Sequence, residues 1–208
     1  MGADEDIVTI GDRPSHCCLL LEGWACRYKI LPDGSRQIMS FHIPGDVPDF
    51  QSLYLKTMDH SLGTLVPAKV ALIHHRDLHS LIRRWEGIAT AFWRDALVDA
   101  AIFREWMVGI GRRSAHQRIA HLLCEMATKL RMVGLNDGDT YPWPVTQQEV
   151  ADALGLTDVH VNRVLRNIRR DGIITTERGR FTATDWDGLK ELGQFEPTYL
   201  HVEPALAA

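Results

Sequence analysis

Residues 146–172 read Thr-Gln-Gln-Glu-Val-Ala-Asp-Ala-Leu-Gly-Leu-Thr-Asp-Val-His-Val-Asn-Arg-Val-Leu-Arg-Asn-Ile-Arg-Arg-Asp-Gly, and this stretch limits the possible folds more than any other. Thr146 and Glu149 stand at capping-box spacing, so a helix can open there with its first amides satisfied. Gly155 supplies a corner, Thr157 a second N-cap with Asp158 in the favoured first turn, and Asp171-Gly172 a stop. The pattern predicts two short helices joined by a tight turn, a helix-turn-helix for duplex DNA.

At 100° per residue, Val161, Val164, Leu165 and Ile168 share one face of the second helix, and Val159, Arg163, Arg166 and Arg170 lie opposite. From Val159 to Arg180 there are six arginines (163, 166, 169, 170, 178, 180) against Asp171 and Glu177, a local +4 in a chain of net charge -4. Phosphate neutralisation supplies most sequence-independent DNA affinity, so this local concentration outweighs the overall acidic balance. Two β-prone runs follow, Ile173 to Thr176 and Arg180 to Ala183, around Glu177-Arg-Gly179, which predicts a hairpin, or wing, with Arg178 and Arg180 at its tip. Asp185 then caps a short helix ending near Gly193.

Two modest domains fit in 208 residues of which 45% are hydrophobic. No apolar run has membrane-spanning length and no basic-then-apolar leader opens the sequence, which sets the expectation of a cytoplasmic protein without a membrane partner. Cys17, Cys18, Cys26 and Cys124 lack C-x-x-C spacing, so they read as buried free thiols.

The first half is β-like. Alternation from Leu19 to Ile30, the turn Pro32-Asp33-Gly34 and a second run from Arg36 to Ile43 predict a half-buried hairpin. Another turn at Pro44-Gly45-Asp46 and a strand over 69–73 imply a roll, with helix from about Arg76. A long helix spans roughly 88–110 with two apolar stripes, one through Ile88, Phe92, Ile102, Phe103, Trp106 and Ile110, the other through Trp93, Leu97, Ala101 and Val108. One domain cannot easily bury both, so Phe92, Trp93, Leu97, Ala101 and Val108 are the expected contacts of a two-fold dimer, with a central helix inside a monomer as the competing arrangement. Gly109, Gly111 and Ser114 are expected to break this helix and cap the next, from Ala115 to about Arg131.

This order resembles the bacterial cyclic-AMP receptor and fumarate-nitrate regulator (Crp/Fnr) superfamily of transcription factors over nearly the whole chain. The matching segments are Leu20-Leu-Glu-Gly-Trp24, Asp33-Gly-Ser-Arg-Gln37, Pro44-Gly-Asp46, Gly111 to Ala120 and Thr146 to Gly172; the last two are specific and the others weaker singly. The resemblance implies an α+β protein with a cyclic-nucleotide-binding-like β-roll (1–86), its first elements missing or rebuilt, a dimerisation helix and hinge (87–111) and a winged helix-turn-helix (112–208). It implies a homodimer on two-fold-related half-sites and contact with RNA polymerase. It puts Val159, Asn162 and Arg163 at the base-reading positions. Arg163 suits guanine O6 and N7, Asn162 an adenine or a phosphate, and Val159, where relatives often carry a glutamate, a thymine methyl or nothing. Backbone contacts are expected from Thr146, Thr157, His160, Arg166, Arg170, Arg178 and Arg180.

The sensor half departs from the pattern. Met58 and Asp59 stand where a cyclic-nucleotide binder has an Arg-Ser pair for the phosphate, and an aspartate repels a phosphate, although Lys56 is near. An iron-sulfur cluster would need cysteines at another spacing. No cofactor, metal site or enzymatic activity is therefore expected, while an unidentified small-molecule effector stays open. His74, His75 and His79 are the densest histidine group, but no third ligand is evident and a solvated helix face explains them better. Asp95 and Asp99 could line an effector pocket; pairing on the helix surface is the default. The alternatives are a cyclic-nucleotide-responsive regulator of the same family, a cupin-like metal enzyme with a helical accessory module, and a ligand-binding module whose helix-turn-helix contacts protein. A cupin-like enzyme would need an H-x-H pair and a glutamate on adjacent strands, which are absent, and DNA binding would be marked by steep salt dependence.

Overall fold

A computed structural model describes residues 1–202. The chain divides into two compact units, 1–95 and 96–208, and the division falls inside the long helix.

The first unit is a roll of six strands: β1 (Asp6–Val8), β2 (His16–Glu22), β3 (Ala25–Ile30), β4 (Arg36–His42), β5 (Ser61–Thr64) and β6 (Lys69–His74). One sheet has the order β1-β5-β3-β4, and β2 pairs with β6 in a second, all neighbours antiparallel. The expected hairpin is β3–β4, with Asp33 Oδ1 accepting from the Ser35 amide at 3.0 Å in its turn.

The expected continuous run over 19–30 is instead two strands in different sheets. Gly23 makes the corner at φ 87°, and a Cβ there would come within 2.6 Å of the Pro67 carbonyl oxygen. Only glycine has both the backbone freedom and the empty space this corner needs. The sheets then close over Val8, Leu20, Ala25, Met58, Leu62 and Ala68. Strand β5 gave no alternating signal because all four of its residues are buried, and a strand covered on both faces has no polar side to mark its period.

A second apolar cluster, Cys17, Leu53 and Leu78 with Phe50, Ile73 and Ile82, seats helix α1 (His75–Arg84) on the roll. Phe92, near the start of helix α2 (Glu86–Arg112), joins it by stacking on Phe50 with ring centroids 4.3 Å apart. Phe92, expected on the dimer seam, is thus half-buried against the roll of its own chain. Beneath lies Asp49, which accepts from the Cys18 amide at 2.7 Å; burial pushes its carboxyl up to about 6. All four cysteines are buried free thiols, as expected.

The second unit comprises the rest of α2, α3 (Ala115–Met132), β7 (Thr140–Pro142), α4 (Gln147–Leu154), α5 (Asp158–Arg170), β8 (Ile174–Glu177), β9 (Arg180–Ala183) and α6 (Trp186–Gly193). Strands β7, β9 and β8 form an antiparallel sheet in that order; β7, only three residues long and paired far along the chain, had no sequence signal. Gly109 and Gly111 do not break α2, which runs on to Arg112 with the Arg113 amide still bonded to the Gly109 carbonyl. The break comes at Ser114, which opens α3 with Gln117 as a capping box. Helix α3 is the spine of this unit, buried from Ile119 to Ala127. Helix α6 approaches it so closely that a Cβ on Gly193 would lie 2.7 Å from the His121 amide nitrogen. No helix among the described residues is long and apolar enough to cross a membrane.

Gly23→Ala is expected to cost on the order of 3 kcal/mol, from an unfavourable positive φ together with a backbone clash. Chemical denaturation of the whole chain, with amide exchange followed in the β2–β6 ladder, measures it; an unchanged ladder would show that the corner tolerates a side chain.

Candidate nucleic-acid interface

Thr146 caps α4 in the expected manner. Its hydroxyl accepts from the Glu149 amide at 3.2 Å and donates to Glu149 Oε2 at 2.8 Å, and the Thr146 amide donates to the same oxygen at 2.6 Å. Gly155 ends α4 at φ 63°, and Thr157 caps α5 by accepting from the His160 amide. Helix α5 buries Val161, Val164, Leu165 and Ile168, which holds Val159, Arg163, Arg166 and Arg170 exposed on the other face.

The wing is β8–β9, closed by a two-residue turn in which Arg178 and Gly179 both take left-handed backbone angles, φ 48° and 72°. That geometry matches the twist of a hairpin. Arg169 Nη1 donates to Thr176 Oγ1 at 2.9 Å, which ties the wing to α5. From α3, Arg118 donates to the Leu154 carbonyl at 2.9 Å and His116 meets Asn167 at 3.3 Å, so both helices of the motif rest on the same spine. The interface thus has a rigid apolar back and a cationic front.

Residues 117–192 match the Crp-like helix-turn-helix domain family and residues 1–84 the cyclic nucleotide-binding domain family. The nitrogen fixation regulation protein FixK of Bradyrhizobium diazoefficiens is 32% identical over 177 residues, covering 80% of this chain and 69% of that protein. The chain belongs to the Crp/Fnr family of transcription regulators. The transcriptional activator protein FnrL of Cereibacter sphaeroides is 25% identical over 193 residues, 91% of this chain and 77% of that protein. In fold, the structure of FixK2 from Bradyrhizobium japonicum superposes with a TM-score of 0.83 at 24% identity, over 92% of this chain and 93% of that one. The α+β architecture of roll, long helix and winged helix-turn-helix is thereby established, and the relatives are transcription regulators rather than enzymes.

Within this Crp/Fnr domain the expected DNA-facing residues fall into three groups. Val159, 74% exposed, and Arg163 project freely, and Arg163 and Arg180 meet no acceptor among the described residues. Arg170 and Arg178 make only exposed pairs with Asp171 and Glu177, at 3.2 and 3.6 Å, which are easily exchanged for phosphate. Asn162 and Arg166 are engaged: Asn162 donates to Gln147 at 2.7 Å and accepts from Arg166 at 2.7 Å, so α4 and α5 are bridged through it. Thr146 is held by its cap. Its amide and hydroxyl both donate to Glu149 in the capping box. Sequence reasoning missed Gln147, Arg118 and Arg169, whose parts depend on partners 15, 36 and 7 residues away. No local pattern marks such pairings.

The roll places Met58 in its core and leaves the Asp59 side chain 74% exposed beside His60. Met58 and Asp59, where the resemblance would place a phosphate-binding pair, themselves carry no cation. The histidines separate too: His74 lies against His16, His75 meets Ser52 at 3.0 Å and His79 abuts Tyr54.

Thr146→Ala is expected to lower stability by about 1 kcal/mol through loss of the cap, whereas Arg178→Ala, at an exposed pair, should shift it by less than about 0.5 kcal/mol. Thermal unfolding of both variants checks this; equal effects would remove the cap as the feature holding α4.

Proposed function

We propose that this regulator binds a two-fold-symmetric operator as a homodimer, in the cytoplasm, with α5 in the major groove and the wing on the flanking backbone. The observation that carries this reading is the division of α5 into a buried apolar face and an exposed arginine face. Arg163 and Val159 read bases, with Asn162 joining them on release from Gln147; Arg166, Arg170, Arg178, Arg180, Thr157 and His160 serve the phosphates. RNA polymerase is the further partner that family membership suggests.

The dimer is supported by α2. Trp93, Leu97, Met107 and Val108 are exposed, the first two by 68% and 66%. Trp93, Leu97 and Met107, with Ala100, Arg104 and Gly111, follow the alternating four- and three-residue spacing of a coiled-coil seam, and Val108 flanks it. Ala101 is 5% exposed within a single chain, so the seam runs beside it rather than through it.

The roll acts without a cyclic nucleotide on this reading. Met58 and Asp59 are its support, since a phosphate held in a protein needs a fixed cation.

Arg163→Ala is expected to cost about 1–3 kcal/mol on the selected operator and little on random duplex, while Arg170→Ala weakens all sequences alike and lowers the salt slope by about one. Binding titrations on duplexes selected from a random pool test this, and equal losses on both duplexes would remove Arg163 as a reader. Leu97→Asp is expected to yield monomers that bind a half-site but no longer bind the full operator cooperatively. Sedimentation with operator binding measures it, and a dimer that survives the change would place the two-fold contact elsewhere.

A further inference from the structure

A side-chain amide can point either way until a group of fixed sense touches it, and α5 carries such a group. Arg166 can only donate. Its Nη2 lies 2.7 Å from Asn162 Oδ1, which turns the Asn162 oxygen toward Arg166 and leaves Nδ2 to donate to Gln147 Oε1, also at 2.7 Å. The chain of bonds thus runs in one sense, from Arg166 through Asn162 to Gln147. Arg166 and Asn162 stand four positions apart on the same helix, while Gln147 belongs to α4. Arg166 is exposed with Arg163, and Asn162 is half-buried beside them.

The two bonds are unequal. A hydrogen bond from a guanidinium is charge-assisted and roughly twice as strong as one between neutral amides. When α5 meets DNA, the bond to Gln147 is therefore the one exchanged, and Asn162 enters the groove with Nδ2 released and Oδ1 still held. Donors then stand side by side, the Nδ2 hydrogens of Asn162 next to the Arg166 guanidinium. Val159 has no polar group in its side chain and Arg163 only donates, so neither adds an acceptor.

Every base pair shows the major groove one keto base and one amino base: guanine O6 and thymine O4 accept, whereas adenine N6 and cytosine N4 donate. An amino group brought to Asn162 Oδ1 has to sit against the guanidinium, donor against donor, or displace it. A keto oxygen instead takes an Asn162 N–H with a cation alongside. An asparagine with both ends of its amide unoccupied suits adenine, which it meets bidentately. We propose that Arg166 is a positioning residue that sets specificity: by holding the oxygen of Asn162 it makes the pair a reader of keto edges, guanine or thymine, in place of adenine. The remaining N–H groups of Arg166 stay available to a phosphate. This role rests on the operator-binding reading and sharpens it at one base position.

The test uses the full chain and operators selected from a random duplex pool. Asn162→Ala identifies the position that Asn162 reads, as the one whose base preference flattens, and an abasic nucleotide placed there on each strand in turn identifies the contacted base by the larger loss. Duplexes with each of the four bases at that place on that strand are then titrated. For the wild type, guanine and thymine should both bind about tenfold or more tighter than adenine and cytosine. Arg166→Lys, which keeps a donor and the charge, should preserve that order, whereas Arg166→Leu should bring adenine to the top. A residue that serves phosphates alone weakens all four duplexes equally. An unchanged order in Arg166→Leu therefore overturns the proposal, as does an order lost equally in Arg166→Lys, a wild type that prefers adenine, or an Asn162→Ala profile with no flattened position. A clear operator with an amino preference at the Asn162 position removes this role alone and leaves the operator reading standing; a pool from which no two-fold sequence emerges removes both.

Discussion

Burial of four side chains, Val161, Val164, Leu165 and Ile168, governs how this molecule meets DNA. Each contributes about 1.5–3 kcal/mol when removed from water, so together they fix the rotation of α5 about its axis far more strongly than any surface charge. The arginines point outward because the valines and the leucine point inward. The caps at Thr146, Thr157 and Gly155 fix the helix ends, and the contacts from Arg118 and His116 set both helices on α3. On the proposed docking, the back of the motif stays as it is and only exposed ion pairs and the Asn162 bridge are exchanged.

The roll is built differently. It matches the cyclic nucleotide-binding domain family over residues 1–84, with Met58 in its core and the Asp59 side chain in solvent. Its two sheets close over Leu20, Ala25 and Leu62, an apolar core made by the chain itself. In the other unit a polar cluster, Glu105, Arg113, His121, Glu125 and Tyr199, is gathered at the elbow between α2 and α3. Burial raises the Glu125 carboxyl and lowers the His121 imidazole, so both ionise less readily there than in water.

Legibility followed the range of the interactions. The helix-turn-helix, its caps, the wing and the last helix were readable because each depends on residues within about four positions, where capping and periodicity operate. Apolar periodicity reports that a side chain is covered, not by which surface: Phe92, expected on the dimer seam, stacks on Phe50, 42 positions earlier in its own chain. Gly109 and Gly111 suggested a break, yet a glycine in a helix costs only about 1 kcal/mol and packing overrides it. Ser114, with a capping box to offer, ends the continuity instead.

By itself the sequence determined the local elements, the cationic face of α5 and the family, since these follow from side-chain spacing and backbone propensity along short stretches. Tertiary structure decided what those elements touch: the corner at Gly23, the burial of β5 on both faces, the capture of Phe92 by the roll and the gathering of Arg113, Arg118 and Glu105 around one cleft. Contacts between distant segments depend on the shape of the whole unit, and no short-range rule of charge or hydrophobicity encodes that shape.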